Sequence, residues 1–369
     1  MRYNIPMTIE ERLNLIKQVG EEIVGEDELI KLLESGEPLI AYDGFEPSGQ
    51  IHIAQGLLRA ININKMTKAG IKFKMWIADW HAVTNNKMGG DLEKLKIVAK
   101  YFIEVWKASG MDLNNVEFLW ASDMVKNPKY WELVIKVGTT NKLSRFIRTA
   151  EFMGREESIE KLTAAQIMYP CMQIADIFML GAKITQLGMD QRKVNMLARE
   201  IGMQLSPPAG GWKPVVVSHH MLMGLGKPPL SDADKATRTI AIKMSKSNPD
   251  NAIFMTDTTE DIKRKITKAY CPEGEVKENP VLEYYRYILF EKFPQITIER
   301  PSKYGGAVIL DSYQNLEQLY KERKIHPLDI KQTAVILLDQ LLEPVREHFS
   351  RNETAKALLA QVKSFAVTR

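Results

Sequence analysis

Lys243-Met244-Ser245-Lys246-Ser247 places two ammonium groups among hydroxyls, with Asn248-Pro249-Asp250 directly behind. That composition predicts a flexible cationic loop. Such a loop can close over a triphosphate and neutralise charge that develops on departing pyrophosphate. Far upstream, His52-Ile53-Ala54-Gln55-Gly56 reads as the end of an extended segment, a turn and the opening of a helix. A histidine there can meet phosphate at a helix N-terminus. Taken singly, these are a solvated basic loop and a surface turn histidine. Together, in this order, they point to a nucleotide site assembled from both ends of one α/β domain.

Other polar residues fall where apolar ones are expected. Tyr169, Gln173 and Asp176, at i, i+4 and i+7, share one face of a helix that is otherwise mostly apolar between 165 and 180. Buried polar groups need partners, so this stripe is either an internal hydrogen-bond network or a ligand pocket. Pro170 suits the start of that helix. Asp190 follows Gly188-Met189 at an expected strand end, as a helix N-cap or an acceptor for ligand hydroxyls. Glu46 and His81 are placed in the same cleft, with a packed core histidine as the alternative for His81. His219 and His220 are adjacent on a strand and point to opposite faces, which argues against a shared metal. The two cysteines, Cys171 and Cys271, form no CxxC pair, so neither a disulfide framework nor a structural zinc is expected.

Three further segments carry a family resemblance: Tyr42-Asp43-Gly44-Phe45-Glu46-Pro47-Ser48-Gly49, Tyr169-Pro170-Cys171-Met172-Gln173-Ile174-Ala175-Asp176, and Gly188-Met189-Asp190-Gln191-Arg192-Lys193. With the two motifs above, the chain resembles tyrosyl-tRNA synthetases of the archaeal and eukaryotic branch of the class I aminoacyl-tRNA synthetases, from about Glu28 to about Glu347. The resemblance implies ATP as substrate, with Mg²⁺ on its phosphates, and formation of tyrosyl-adenylate followed by transfer to tRNA(Tyr). It implies catalytic roles for His52, Gln55, Lys243 and Lys246. Gln55 stands where the usual motif has a second histidine, so that position can donate a hydrogen bond but carries no charge. Tyr42 and Asp176 would meet the substrate phenol, and Tyr169, Gln173 and Gln191 its ammonium and carboxylate, with Glu46 and His81 lining the pocket. His52, Ala54, Gly56, Asp190, Met244, Ser245 and Ser247 would contact ATP, Asp190 through the ribose. Arg148 and Arg192 would approach the acceptor stem. Tyr304, His326 and Asp329 would hold the anticodon. The family resemblance also implies a homodimer, for which apolar residues between 91 and 137 could supply an interface. Rival readings are a tryptophanyl-tRNA synthetase, a small-molecule nucleotidyltransferase and a catalytically inactive RNA-binding relative.

The elements that must position these residues follow from periodicity. A capping box at Thr8-Ile9-Glu10-Glu11 opens a helix carrying Ile9, Leu13, Ile16 and Ile23. Short apolar strands are expected at 39–45, 73–78, 116–120, 183–187 and 215–218. Helices are expected between them, one from Gly56 to Lys68 and one capped by Asp91. Alternating strands and helices predict a doubly wound parallel sheet, a Rossmann-like α/β catalytic domain. Beyond residue 259 the pattern turns helical, predicting an all-α C-terminal domain. The expected organisation is a catalytic domain over 1–230 with a helical insertion at about 91–160, a mobile lysine-loop linker over 231–258, and an anticodon-binding domain over 259–369. Lys142, Arg145, Arg148, Arg155 and Arg192 could form a basic rim, and Lys263-Arg264-Lys265 with Lys268 a second cluster.

Composition agrees with this organisation. A chain of 369 residues can hold two domains, and 45% hydrophobic with 26% charged residues is ordinary for a soluble globular protein. The net charge of +4 is compatible with RNA binding. The most apolar stretch, 334–342, is broken by Asp339, and the N-terminus opens no apolar signal run. A cytoplasmic protein with no membrane or DNA partner is expected.

Overall fold

Six strands form one sheet: β1 Gly20–Val24, β2 Ile40–Phe45, β3 Lys72–Ile77, β4 Val116–Trp120, β5 Ile184–Gly188 and β6 Val215–His219. Their spatial order is β1-β6-β5-β2-β3-β4. Strands β2 to β6 run parallel, and β1 lies antiparallel on the edge against β6. β5 and β6 are buried throughout, as parallel strands covered on both faces must be. The chain winds outward from β2 through β3 to β4, then crosses back to β5 and β6. The winding therefore reverses between β2 and β5, and at such a point a crevice opens at the carboxyl ends of the strands. The computed structural model describes residues 7–150, 162–205, 211–229, 235–246 and 248–365.

The expected helices form, with three differences. The Thr8–Glu11 capping box is present, but its helix, Ile9–Val19, stops before Ile23, which lies on β1. Helical spacing alone put Ile23 on the helix. The chain instead turns extended at Gly20 and completes the open edge of β6, pairing Ile23 with Val217. Pro170 lies inside the helix Ala164–Met179 rather than at its start, because Thr163 and Gln166 form the capping box that opens it. The C-terminal region is mainly helical, with Thr259–Lys268, Pro280–Tyr284, Tyr313–Lys321, Pro327–Arg351 and Glu353–Ser364. It departs from the all-α expectation by one antiparallel hairpin, β7 Ile296–Ile298 with β8 Val308–Leu310. Strands this short carry too few residues to show an alternation.

One apolar cluster fills the sheet face beneath the helices Ile9–Val19, Leu57–Lys68 and Leu92–Ala108 and continues into the C-terminal helices. A second lies on the opposite face, beneath Pro128–Gly138, Ala164–Met179 and Arg192–Ile201. The C-terminal region is packed directly on the catalytic one. The Tyr101 and Phe349 rings lie 5.4 Å apart, and His348 Nε2 is 2.7 Å from a Glu104 oxygen. Residues 252–255 are buried against the histidine motif, with Ile53 N donating to Ile253 O and Met255 N donating to Ile51 O, each at 2.9 Å.

Candidate active site

A cavity of about 390 Å³ opens at the crevice between β2 and β5. Strand alternation divides it. Tyr42 and Asp43 are neighbours on β2 and face opposite sides of the sheet. Tyr42 packs with the cluster beneath Ala164–Met179, whereas Asp43 meets Arg59 of the helix Leu57–Lys68.

On the Tyr42 side the polar stripe of Ala164–Met179 turns into the cavity. Asp176 is 1% exposed. One of its oxygens accepts from the Tyr130 hydroxyl at 3.0 Å, and the other lies 2.9 Å from His81 Nε2. Burial alone would lower the His81 pKa, but the adjoining Asp176 carboxylate raises it overall. Tyr169 donates to Glu46 at 2.6 Å, and Asn85 donates to the same oxygen at 2.6 Å. Gln173 Nε2 donates to Gln191 Oε1 at 3.1 Å. Other polar atoms stand apart from this network. Like His81 Nδ1, the buried Tyr42 hydroxyl and Gln173 Oε1 make no hydrogen bond of normal geometry among the described residues. Buried polar atoms without partners are costly, so the Tyr42 and Gln173 oxygens are suited to a polar ligand.

On the other side the histidine motif forms the turn before Leu57–Lys68. Gln55 N and Gly56 N both donate to His52 O at 2.9 Å. A Cβ on Gly56 would lie 2.3 Å from Met255 Sδ, so only glycine admits this packing. His52 is buried, and burial together with Lys246, Lys243 and Arg59 holds its pKa well below the usual range. Its ring is therefore neutral and can still donate one hydrogen bond. Gln55 Oε1 is buried with no hydrogen-bond partner among the described residues.

The lysine loop reaches the same cavity. Lys243 Nζ is 2.8 Å from Asp190, and Lys246 Nζ donates to Ser48 O and Oγ at 3.2 Å each. Burial and the Lys87 cation lower the Lys246 pKa to about 7, against the opposing pull of Glu46. Asp190 sits in a 3₁₀ turn, Met189–Gln191, and its carboxylate pairs with Lys243 instead of capping the helix Arg192–Ile201, whose N-cap residue Gln191 makes no capping hydrogen bond among the described residues. Met244 and Ser245 line the cavity, as do Ala54 and Gln55. Ser247 and Arg155 lie outside the described residues.

Several residues that build the site gave no signal in the sequence. Tyr130 falls on the apolar stripe of Pro128–Gly138 with Leu133, Val134 and Val137 and reads there as core. Arg59 is largely but not fully buried, with its guanidinium 2.5 Å from Asp43, 2.6 Å from His219 Nε2 and 4.6 Å from the Phe45 ring centroid. Burial raises the Asp43 pKa to about 7 despite that arginine. His219 and His220 do diverge: His219 meets Arg59 and Gln186, while His220 lies between Glu21 and Glu283. No group of three or more potential metal ligands occurs among the described residues.

The residues assigned to tRNA are spread over the surface. Arg148 is exposed, whereas Arg192 is held by Glu22 on β1 through two hydrogen bonds of 2.5 and 2.9 Å. Arg145 pairs with Glu200. Tyr304 is 63% exposed, with Lys303 Nζ 4.8 Å from its ring centroid. His326 and Asp329 form a capping box at the start of Pro327–Arg351, so the alternative role for Asp329 as a helix N-terminal carboxylate is realised.

Comparison with known proteins gives the family of the chain. Residues 34–343 match the family described as tRNA synthetases class I (W and Y). The chain is 48% identical over 363 residues to tyrosine–tRNA ligase 1, cytoplasmic, of Arabidopsis thaliana, covering 98% of this chain and 90% of that protein. It is 42% identical over 376 residues to the tyrosine–tRNA ligase of Pyrococcus abyssi, covering 97% and 99%. The crystal structure of the Pyrococcus horikoshii tyrosyl-tRNA synthetase complexed with L-tyrosine superposes with a TM-score of 0.89 at 39% identity, covering 96% of this chain and all of that one. These relatives favour tyrosine over the tryptophan alternative. On the sequence matches and the shared fold, the chain belongs to the class I tRNA synthetases, within the tyrosine–tRNA ligase branch.

Proposed function

We propose that the crevice joins the carboxylate of L-tyrosine to the α-phosphate of ATP, releasing pyrophosphate, and that the tyrosyl group then passes to tRNA(Tyr). The observation that carries this reading is the Asp176 carboxylate, buried in the cavity and oriented by Tyr130 and His81. A carboxylate fixed in that way, beside the Tyr42 hydroxyl, suits a phenol. Phenylalanine would leave it without its partner in a dry pocket. Tyr169, Gln173 and Gln191 then meet the ammonium and carboxylate end, with Glu46 positioning Tyr169.

His52 and the turn it heads receive the phosphates, and Asp190 accepts from the ribose once Lys243 moves to the polyphosphate. Gln55 donates a hydrogen bond without adding charge. Lys243 and Lys246 stabilise the charge on the leaving pyrophosphate, a contribution made mainly in the transition state. No group of three protein ligands occurs among the described residues, so Mg²⁺ arriving with ATP would be held chiefly by the triphosphate and would neutralise phosphate charge there.

The acceptor stem approaches exposed Arg148 and, after release from Glu22, Arg192. Tyr304, His326 and Asp329 meet the anticodon. The domain assignment follows: catalysis over 1–230, the lysine loop over 231–258 and anticodon binding over 259–369. Leu113, Trp131 and Ile135, all between residues 91 and 137, are large, exposed apolar side chains, which supports a homodimer. No helix among the described residues is long and apolar enough to cross a membrane, and the Arabidopsis relative is named as cytoplasmic, which supports a cytoplasmic site of action.

Tyrosine-dependent exchange of pyrophosphate into ATP tests the assignment. Exchange with tyrosine alone is expected. Exchange with tryptophan, or none with any amino acid, overturns it in favour of a tryptophan enzyme or an inactive RNA-binding relative.

A further inference from the structure

The lysine loop does not reach the cavity unsupported. Met223 and Lys243 form an isolated antiparallel bridge. Its two hydrogen bonds run from Met244 N to Leu222 O at 2.8 Å and from Gly224 N to Ile242 O at 3.0 Å. In that pattern the bonds belong to the residues on either side, so the N–H and C=O of Met223 itself point away from the lysine strand. Both are taken by the C-terminal region. Met223 N donates to a Glu283 carboxylate oxygen at 2.9 Å, and Met223 O accepts from the Tyr284 hydroxyl at 3.1 Å. Two side chains of the short helix Pro280–Tyr284 thus serve as the missing neighbour strand of the ribbon that carries Lys243.

The same Glu283 oxygen lies 3.1 Å from His220 Nε2. His220 Nδ1 is 3.2 Å from Glu21, and its ring stacks on Tyr287 with centroids 4.1 Å apart. On the other side of the backbone, His219 meets Arg59 at the floor of the cavity. The segment 219–225 is therefore fixed to the catalytic sheet at one end and clamped by the C-terminal helix along its free edge. Met223 is buried, as are Leu222 and Leu225, so its backbone groups have no water to replace a lost partner.

We propose that Glu283, assisted by Tyr284, is a positioning residue for adenylate formation, holding the ribbon from which Lys243 and Lys246 act. This rests on the reading of those lysines as the arm that meets the polyphosphate. The C-terminal region then serves the first half-reaction as well as tRNA recognition.

Double-mutant kinetics of tyrosine-dependent pyrophosphate exchange test the assignment. Glu283→Ala is expected to lower kcat about tenfold or more through the lost charge-assisted bond, while tyrosine affinity stays near the parent value. Glu283→Gln retains an acceptor for Met223 N and is expected to restore most of the rate. Tyr284→Phe, which removes only the hydroxyl, gives a smaller loss of the same kind and serves if Glu283→Ala does not fold. Residues that act through one another are not additive, so the loss from Glu283→Ala is expected to be smaller on a Lys243→Ala background, where only the part acting through Lys246 remains. Full additivity, or a loss of tyrosine affinity parallel to the loss of kcat, overturns the proposal and leaves the lysine reading intact. A Lys243→Ala enzyme with unchanged exchange overturns the lysine reading and the proposal with it.

Discussion

Lys243 Nζ lies 2.8 Å from the Asp190 carboxylate, so the first lysine of the cationic loop is paired with the acid at the end of β5. The two groups come from segments far apart in the chain and meet over the crevice. For Asp190 to accept ribose hydroxyls and Lys243 to follow the phosphates, this pair must open as ATP enters. Asp190→Asn is expected to raise the KM for ATP, since the amide is a poorer acceptor for two hydroxyls, while tyrosine affinity is unchanged. Equilibrium tyrosine binding beside exchange kinetics decides it; a parallel loss of tyrosine affinity counts against the ribose role.

On the proposed reading, Asp176 sets the amino-acid preference. Asp176→Asn is expected to lower kcat/KM for tyrosine by roughly tenfold or more, because an amide can turn its N–H groups toward the phenol. The ratio of tyrosine to phenylalanine activation should fall with it. Tyr130→Phe removes one of the bonds orienting Asp176 and should loosen the same ratio by less. An unchanged ratio in both variants would falsify the pocket assignment.

The pH profile reports Lys246. Burial and Lys87 lower its pKa to about 7, so its proton is lost as pH rises through that value and the charge facing ATP is lost with it. The kcat/KM for ATP reflects the free enzyme and is expected to fall above about pH 7. Asp43 also titrates near 7 and gains negative charge over the same range. Lys246→Arg should abolish the lysine's part of the fall, because a guanidinium stays charged. A fall that survives in Lys246→Arg and disappears in Asp43→Asn assigns the profile to Asp43 instead.

His220 makes stability depend on pH. Burial disfavours its charged form, but Glu21 and Glu283 outweigh that and raise its pKa from 6.5 to about 9. Tyr287, stacked on the ring, is itself raised to about 12 and does not titrate in this range, and neighbouring His219 is held neutral by burial. A group whose pKa is raised on folding binds its proton more tightly in the folded state. Its contribution, on the order of 3 kcal/mol, is complete below about pH 6.5 and lost as pH rises through about 9. Thermal melts from pH 6 to 10 should show this slope in the parent, in the approximate range given by linkage, and a flatter profile in His220→Gln.

Asp329 separates two kinds of effect. As the N3 residue of a capping box it supports Pro327–Arg351, so Asp329→Ala is expected to cost ~0.3–1 kcal/mol of stability. Exchange should persist, since the proposed tyrosine and ATP sites lie in the crevice of the catalytic region. If Asp329 also reads the anticodon, tRNA charging falls beyond what the lost cap explains, and the loss shrinks on a tRNA altered at the contacted base. Asp329→Asn, which can still accept at the cap, provides the control; equal charging by both variants and the parent removes Asp329 from the anticodon site.

The sequence alone determined what local rules can carry. The Thr8 capping box, the Asp91 cap and the polar stripe Tyr169, Gln173 and Asp176 depend on contacts within a few residues, and each formed. The strands β2 to β6 were legible because each is a short apolar run bounded by turn residues. The motifs around His52 and Lys243 were legible through their residue types and the family they resemble. Tertiary structure decided the rest. Ile23 fits a helical period, yet the open edge of β6 drew it into a strand. Tyr130 and Arg59 fit apolar or solvated helix positions, and only the folding of Pro128–Gly138 and Leu57–Lys68 onto the sheet set them against Asp176 and Asp43. Glu283 carries no local signal for the lysine loop at all. Its role depends on a helix and a ribbon meeting after the intervening chain has folded, and side-chain identity does not specify such long-range neighbours.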